Sequence, residues 1–586
     1  MRELGAIPDD GKDDTKAIQE ALNQFPSGNR IVYLPPGVFD IRDTLKWAGT
    51  NSGNAQKRTI LQGAGEKLTT LRLPDNTRGF SDQQAKAMIW TGAKPAQRFR
   101  NAVRDLTIEV GKGNGNAIGL QFNASNQGCI RNVTIRAAEN SGKIGLDLGH
   151  TDEIGPLLVR NLTVEGFEIG INTKWPVNSN TFEHVHLSGQ RRHGWWNYHQ
   201  MIFVRGLVSE NRVTALYNEK NSWGTVTLLD SHLHGVNAHH NQPGILNQRR
   251  MILSNVEIFD YRKPIDHSDK GRDKGDVDRP GLIERDTSHR DVKSLFRKVG
   301  DGTFASAGEI KRLPVKETPE VPWGDPAKDW INLATAGGDP TGKGDATAAL
   351  QRAIDSGKKT VYLPAGANFR FDGQVLIRGP VQRIIGLEGR FTAEGNPVWK
   401  LVDGSHPTGL PDAPVVVIER MTHQSGGRSL LIRHESKRTL VVSSTIGFNV
   451  EGHNTGDLFL DDFCGHLDRV APGQSAWCRQ LNSERKGVKC RNAGGNLWIL
   501  GMKTESLGTL IEMTGGGRTE VNGVFLYSNT GWDETVPAFR IRDSEAVLLG
   551  INERNFNRSP VSFWVEETHG GETKELRERP FVFLSK

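Results

Sequence analysis

The chain repeats itself. Asp13-Asp14-Thr15-Lys16-Ala17-Ile18-Gln19 leads to Ile31-Val32-Tyr33-Leu34-Pro35-Pro36-Gly37, and Gly344-Asp345-Ala346-Thr347-Ala348-Ala349-Leu350-Gln351 leads to Val361-Tyr362-Leu363-Pro364-Ala365-Gly366. Each copy reads as an acidic N-cap, a short amphipathic helix and a Val-Tyr-Leu strand stopped by Pro and Gly. The same order of parts in duplicate points to two copies of one fold. It overrides the three or four domains that 586 residues would suggest at about 150 residues each. The expected division is an N-terminal module over 1–261, a connection over 262–325 and a C-terminal module over 326–586. The connection is rich in Asp, Lys, Arg and Pro and poor in apolar pairs, so little regular structure is expected there.

Short strands on one template follow the first motif. Asp105-Leu106-Thr107-Ile108, Asn132-Val133-Thr134-Ile135, Asn161-Leu162-Thr163-Val164, His184-Val185-His186-Leu187 and Asn255-Val256-Glu257-Ile258 alternate polar and apolar residues, as a strand with one buried face does. The first four begin 27, 29 and 23 positions apart. That spacing suits one coil of a parallel β-helix, in which each coil stacks on the last. The high glycine count, 67, fits many tight turns. The recurring Asn has two readings, an inward ladder or a residue that starts a turn. Further coils show around Leu458-Phe459-Leu460, Leu497-Trp498-Ile499-Leu500 and Val524-Phe525-Leu526. The expected fold class is all-β, two tandem right-handed parallel β-helices of the pectin-lyase-like kind.

Charge and cysteines set limits. A net charge of +6 over this length is a weak bias, and only basic pairs such as Arg191-Arg192 and Arg249-Arg250 occur. Nucleic-acid binding is therefore not expected. Cys129, Cys464, Cys478 and Cys490 lack CxxC spacing, so a zinc site is not expected; one disulfide among the last three and buried free thiols stay open. No stretch has the roughly 18 apolar residues of a membrane span. No signal peptide is evident ahead of the first motif, and an extracellular protein whose signal was removed is the expectation.

The segment 477–505 is richest in chemistry. Trp477-Cys478-Arg479-Gln480-Leu481-Asn482-Ser483-Glu484 is followed by Leu497-Trp498-Ile499-Leu500-Gly501-Met502-Lys503-Thr504-Glu505. Glu484 and Glu505 are 21 residues apart, about one coil, which would set them on neighbouring rungs roughly 4.8 Å apart. Like-charge proximity would raise the pKa of one carboxyl and leave the other ionised, the split a glycosidase needs. The competing reading is a pair of surface glutamates, Glu505 paired with Lys503 or an Arg. Asp457, Asp461 and Asp462 are alternative acids. Trp477 and Trp498 are candidate sugar-stacking platforms, although such residues are more often core. Trp195, Trp196 and Tyr527 join them as candidate substrate-binding aromatics.

The doubled motif resembles the pectate-lyase-like β-helix superfamily. The order of motifs is similar to glycoside hydrolase family 55, the tandem β-helix exo-β-1,3-glucanases or laminarinases. The resemblance runs through Gly119-Leu120-Gln121-Phe122-Asn123-Ala124-Ser125-Asn126-Gln127, Val164-Glu165-Gly166-Phe167-Glu168-Ile169-Gly170-Ile171, Phe182-Glu183-His184, Ser188-Gly189-Gln190 and both segments of 477–505. It implies inverting hydrolysis of β-1,3-glucan by a monomer, in a cleft between the two β-helices, with no cofactor and no metal. It casts Glu505 as general acid and Glu484 as the group that holds or activates water, with Gln190 and Ser209 assisting. Two other classes stay open: a glycan-binding β-helix of the tailspike or adhesin kind, and a calcium-dependent polysaccharide lyase, for which Asp461-Asp462 is a thin signal.

Overall fold

A computed structural model describes residues 2–585 except 25–27, 48–57, 94–97, 176–177, 220–223, 238–241, 267–291, 295–311, 322, 424–428 and 557–558. The chain is all-β and forms two right-handed parallel β-helices in tandem. They fall in two compact units, Met1–Lys298 and Val299–Lys586. Most of the expected 262–325 connection lies outside the described residues. Among the described residues, no helix is long and apolar enough to cross a membrane.

Each unit is entered through the repeated motif, and the repeat extends to atomic detail. Helix α1 (Thr15–Asn23) buries Ala17, Ile18, Ala21 and Leu22, and helix α2 (Thr347–Asp355) buries Ala349, Leu350, Ala353 and Ile354. These apolar faces seal the first coils. The Asp13 carboxylate accepts from the Thr15 amide at 3.0 Å, and Asp345 accepts from the Thr347 amide at 2.9 Å. The acidic cap is thus Asp13, one residue ahead of the formal N-cap Asp14, which makes no side-chain capping bond. Gln19 then exchanges two bonds with Lys46, donating to its carbonyl at 2.9 Å and accepting from its amide at 2.8 Å. Gln351 does the same to Leu376, at 3.1 and 2.7 Å. A side-chain amide here replaces the neighbouring strand that an end coil lacks, which satisfies its edge.

In the first unit the long strands Ala102–Val110, Cys129–Ala137, Leu157–Glu165, Ser179–Ser188, Met201–Glu210, Thr225–His234 and Met251–Phe259 pair in parallel, one coil to the next. Leu106, Val133, Leu162, Val185 and Leu207 stack as one inward row. Each strand bends at a residue in the left-handed region: Asp105, Asn132, Asn161, His184, Gly206, Asp230 and Asn255, with φ between 48° and 73°. Asn and Asp tolerate this conformation, so the recurring polar residue marks a turn. Those side chains do form a ladder, Asn161 to Asn132 to Asp105 at 2.8 Å per step, but none of them is buried. The inward amide ladder lies on the second sheet. There Thr173, Asn197, Asn218 and Asn247 are buried and bonded in series at 2.8, 3.1 and 2.9 Å.

The second unit bends at equivalent places, Ser444, Asp462, Gln480, Gly501, Gly523 and Gly550. Its C-terminal end is closed by the antiparallel strands Glu572–Leu576 and Val582–Leu584, which blunt the last coil. Residues 312–321 and 323–325 run as an extended strap over the outward row Glu520, Trp498, Trp477, Phe459, Val441, Val417, Arg383 and Thr360. Eight rungs at about 4.8 Å span about 34 Å, well within the reach of an extended chain of this length. Glu520 accepts from Arg312 Nε at 2.9 Å and the Leu313 amide at 2.6 Å. The Pro314 carbonyl accepts from Trp477 Nε1 at 3.1 Å, and the Lys316 carbonyl from Arg479 Nη2 at 2.7 Å. Trp323 donates to Glu419 at 3.1 Å, and Asp325 pairs with Arg383 and accepts from Thr360 at 2.7 Å.

Candidate functional site

Strands Ser475–Ser483 and Asn496–Glu505 are parallel neighbours, with Leu481 opposite Met502, Asn482 opposite Lys503 and Ser483 opposite Thr504. Leu481 and Met502 point into the core, so Asn482 and Lys503 point out. Continuing the register by one residue sets Glu484 opposite Glu505, on the same outward face as Lys503.

The two glutamates meet at Lys503. Its Nζ donates to Glu484 Oε1 at 2.6 Å and also to Glu505 Oε1. Lys503 is 2% exposed, whereas Glu484 and Glu505 are 33% and 23% exposed, so the ammonium forms the floor and the carboxylates the rim. Burial works against the Lys503 charge, but Glu484 and Glu505 outweigh it and hold its pKa above the ordinary lysine value. For Glu484, burial opposes ionisation; the charge and hydrogen bond of Lys503 and the bond from Asn482 overcome it and lower its pKa. This reverses the like-charge argument from sequence, because a cation sits between the acids. The competing expectation, Glu505 paired with Lys503, is present, and Glu484 shares the pairing.

The remaining bonds differ between the acids. Asn482 Nδ2 donates to Glu484 Oε1 at 3.0 Å, and among the described residues Glu484 Oε2 has no hydrogen-bond partner. Asn529 Nδ2 donates to Glu505 Oε2 at 2.8 Å. Tyr527 lies opposite Glu505 on the next strand, half-buried, its ring stacked on Phe556 at 4.0 Å with Lys503 Nζ 5.8 Å from its centroid.

Sequence reasoning missed Lys489. It is fully buried, and its Nζ donates to the Arg485 carbonyl at 2.7 Å and to the Glu505 carbonyl. It ties the backbone beside Glu484 to that of Glu505. Burial lowers its pKa to about 7, with Glu484 and Glu505 resisting. In the run Glu484-Arg485-Lys486-Gly487-Val488-Lys489 it reads as one more solvated charge, and nothing in the sequence separates it from Lys486.

Other expected site residues are placed differently. Trp477 and Trp498 are 3% and 1% exposed, covered by the strap row, and cannot offer a face to a sugar. Trp195 is fully buried and donates to Thr173 at 3.0 Å. Trp196 is half-exposed on the first unit, beside Tyr217 and hydrogen-bonded to Glu219 at 2.7 Å. Gln190 is buried there too, its Nε2 spent on the carbonyls of Val164, Gly166 and Ser188. Ser209 fills the inward row between Leu187 and Leu233 and accepts from Asn211 at 2.9 Å. Both side chains are buried. Asp461 and Asp462 are buried, Asp461 near Arg479 at 3.9 Å and Asp462 accepting from Ser444 at 3.0 Å, which argues against a calcium site on that pair. All four cysteines are free thiols.

Residues 1–245 match the family described as rhamnogalacturonase A/epimerase, pectate lyase-like. No curated protein matches the chain. Among solved structures, ORF18 of Geobacillus virus E2 aligns over 95% of this chain at 10% identity and a TM-score of 0.24; this chain spans 62% of its length. SacteLam55A from Streptomyces sp. SirexAA-E aligns over 98% of this chain and 97% of its own, at 10% identity and a TM-score of 0.38. The catalytic domain of a GH87 alpha-1,3-glucanase aligns over 92% of this chain and 70% of its own, at 12% identity and a TM-score of 0.21.

Proposed function

We propose that the chain is an extracellular glycoside hydrolase that cleaves β-1,3-glucan from a chain end with inversion. The observation that carries the reading is the Glu484–Lys503–Glu505 bridge, two partly exposed carboxylates on adjacent rungs fixed by one buried ammonium. Glu505, once it has taken up a proton, is the general acid that passes it to the leaving oxygen. Glu484 is held ionised, and its Oε2 is open to accept a proton from an attacking water. Lys503 fixes the pair and offsets negative charge. The motifs of 477–505 that resemble the laminarinases carry the substrate assignment.

A second reading, β-elimination from a uronate, has one observation in its favour: Lys489, with its pKa at about 7, has the basicity of a proton-abstracting lysine. Its full burial counts against it.

The test is reducing-sugar release from laminarin beside unsaturated-product absorbance from polygalacturonate, each with and without chelator. Laminarin hydrolysis indifferent to chelator is expected, and Glu505→Gln should lower it roughly 10²–10⁴-fold, the usual worth of a positioned acid. Proton NMR in the first minutes should show the α-anomer. Unsaturated product, or an initial β-anomer, overturns this reading.

A further inference from the structure

Glu505 closes a strand and is held by its ladder, but Glu484 stands one residue beyond the last ladder position, Ser483. It opens an excursion that the coil before it lacks. Cys464 and Leu467, which pair with Asn482 and Cys490, are three positions apart. Asn482 and Cys490 are eight apart, and Lys503 and Ile511, their partners on the next coil, are eight apart too. The corner of the solenoid thus gains residues at the two coils that carry the acids. A loop without ladder bonds opens easily unless other contacts hold it.

Arg485 and Lys489 hold this one. The Arg485 guanidinium closes the turn on itself, Nε and Nη2 both donating to the Val488 carbonyl at 3.1 and 2.8 Å. The same Nη2 reaches the Asp468 carboxylate on the preceding coil. Lys489 Nζ donates to the Arg485 and Glu505 carbonyls, while the Lys489 amide donates to the Thr509 carbonyl at 3.0 Å. The Gly487 amide donates to the Leu507 carbonyl at 3.2 Å. Gly508 lies so close to this turn that a Cβ there would strike the Gly487 carbonyl. The excursion after Glu484 is therefore seated on the one after Glu505 and tied through Asp468 to the coil before.

We propose that Arg485 is a positioning residue which, with Lys489, clamps the 484–489 excursion and sets where the Glu484 carboxylate stands against Glu505. Arg485 acts through the turn that follows Glu484, and Lys489 through the main chain of Arg485 and Glu505. Lys503 holds the two carboxylate head groups; the clamp holds the main chain from which Glu484 projects. A planar guanidinium suits this task, because its fixed fork meets a carbonyl and a carboxylate at once, which the point charge of an ammonium does not. The clamp's effect on turnover rests on the hydrolase reading; its hold on Glu484 does not.

Arg485→Ala removes the fork and leaves a gap that solvent can enter, since the side chain is 30% exposed. On laminari-oligosaccharides kcat should fall about 10²-fold, the cost of roughly 1 Å of misplacement, with KM unchanged. Millimolar guanidinium should restore kcat by filling the gap, and methylammonium, which has the charge but not the fork, should not. Asp468→Asn keeps the shape of the partner and removes its charge; it should lower kcat about tenfold at unchanged KM, and it carries the test if Arg485→Ala does not fold. Crystal structures should show Glu484 on Lys503 in wild type and off it in Arg485→Ala. Unchanged kcat overturns the proposal: with KM raised, Arg485 is a substrate contact, and with KM unchanged and a lower melting temperature, it only braces the fold. Equal rescue by the two cations, or Glu484 still on Lys503 in the variant, overturns it as well. If wild type neither binds nor cleaves the oligosaccharides, the hydrolase reading fails, and the crystal structures still decide whether the clamp places Glu484.

Discussion

Lys489 offers a test of the site's electrostatics that needs no substrate. Folded, it loses its proton near pH 7; an ordinary lysine does so near 10.5. Between these values the unfolded chain binds the extra proton, so stability rises with pH by up to about 1.4 kcal/mol per pH unit. Summed over the interval this is an upper figure of roughly 5 kcal/mol, reduced by whatever relaxation accompanies charging. Below about pH 7 both states are protonated and the contribution is flat. Lys489→Met removes the titration. It also removes the bonds to the Arg485 and Glu505 carbonyls, a pH-independent loss of about 1–3 kcal/mol. The informative quantity is therefore the difference in urea-unfolding free energy between wild type and variant, followed across pH, since groups titrating elsewhere cancel in it. The difference should be constant below about pH 6.5 and should shift in favour of wild type by about 1 kcal/mol per unit from about pH 7.5 upward. A difference that stays constant up to about pH 9.5 would refute a depressed Lys489.

Two further predictions concern the scaffold. Glu520 accepts from Arg312, Leu313, Trp498 and Asn522, so Glu520→Gln places an amide N–H against at least one donor. The cost should be about 3–5 kcal/mol, lowering the calorimetric transition of the second unit by roughly 10 °C, and trypsin should cut sooner at Arg312 and Lys316. An unchanged transition would mean the strap contributes nothing to stability. Gln351→Leu removes the paired bonds to Leu376 and should cost about 1–3 kcal/mol in that unit, with Gln19→Leu doing the same in the first. Equal loss in both transitions from either variant would contradict separate helix clasps.

The periodic part of the architecture was legible in the sequence. The helix-strand motif, the alternation in Asn132-Val133-Thr134-Ile135 and the one-coil spacing of Glu484 and Glu505 are local patterns, and local patterns survive folding when every coil repeats its neighbour. What failed was non-local. Trp477 looks like a platform until a segment 163 residues earlier lies over it. Lys489 looks like surface charge until its turn folds under Glu505. The Asn recurrence marked bends, where φ is positive, while the inward amides at Asn197, Asn218 and Asn247 drew no notice. The two functions of one residue type separate only once the direction of each side chain is known.

The strap changes how the second β-helix can come apart. Coils that touch only their neighbours can fray from either end, one at a time, like a column of coins lifted from the top. A chain bonded to Glu520 near one end and to Arg383 and Thr360 near the other adds a tie between rungs that never meet. Losing a terminal coil then strains a tether anchored about 34 Å away. Opening becomes a concerted event for the whole unit, and the spacing between Glu484 and Glu505 is set by the body as a whole and not by two strands alone.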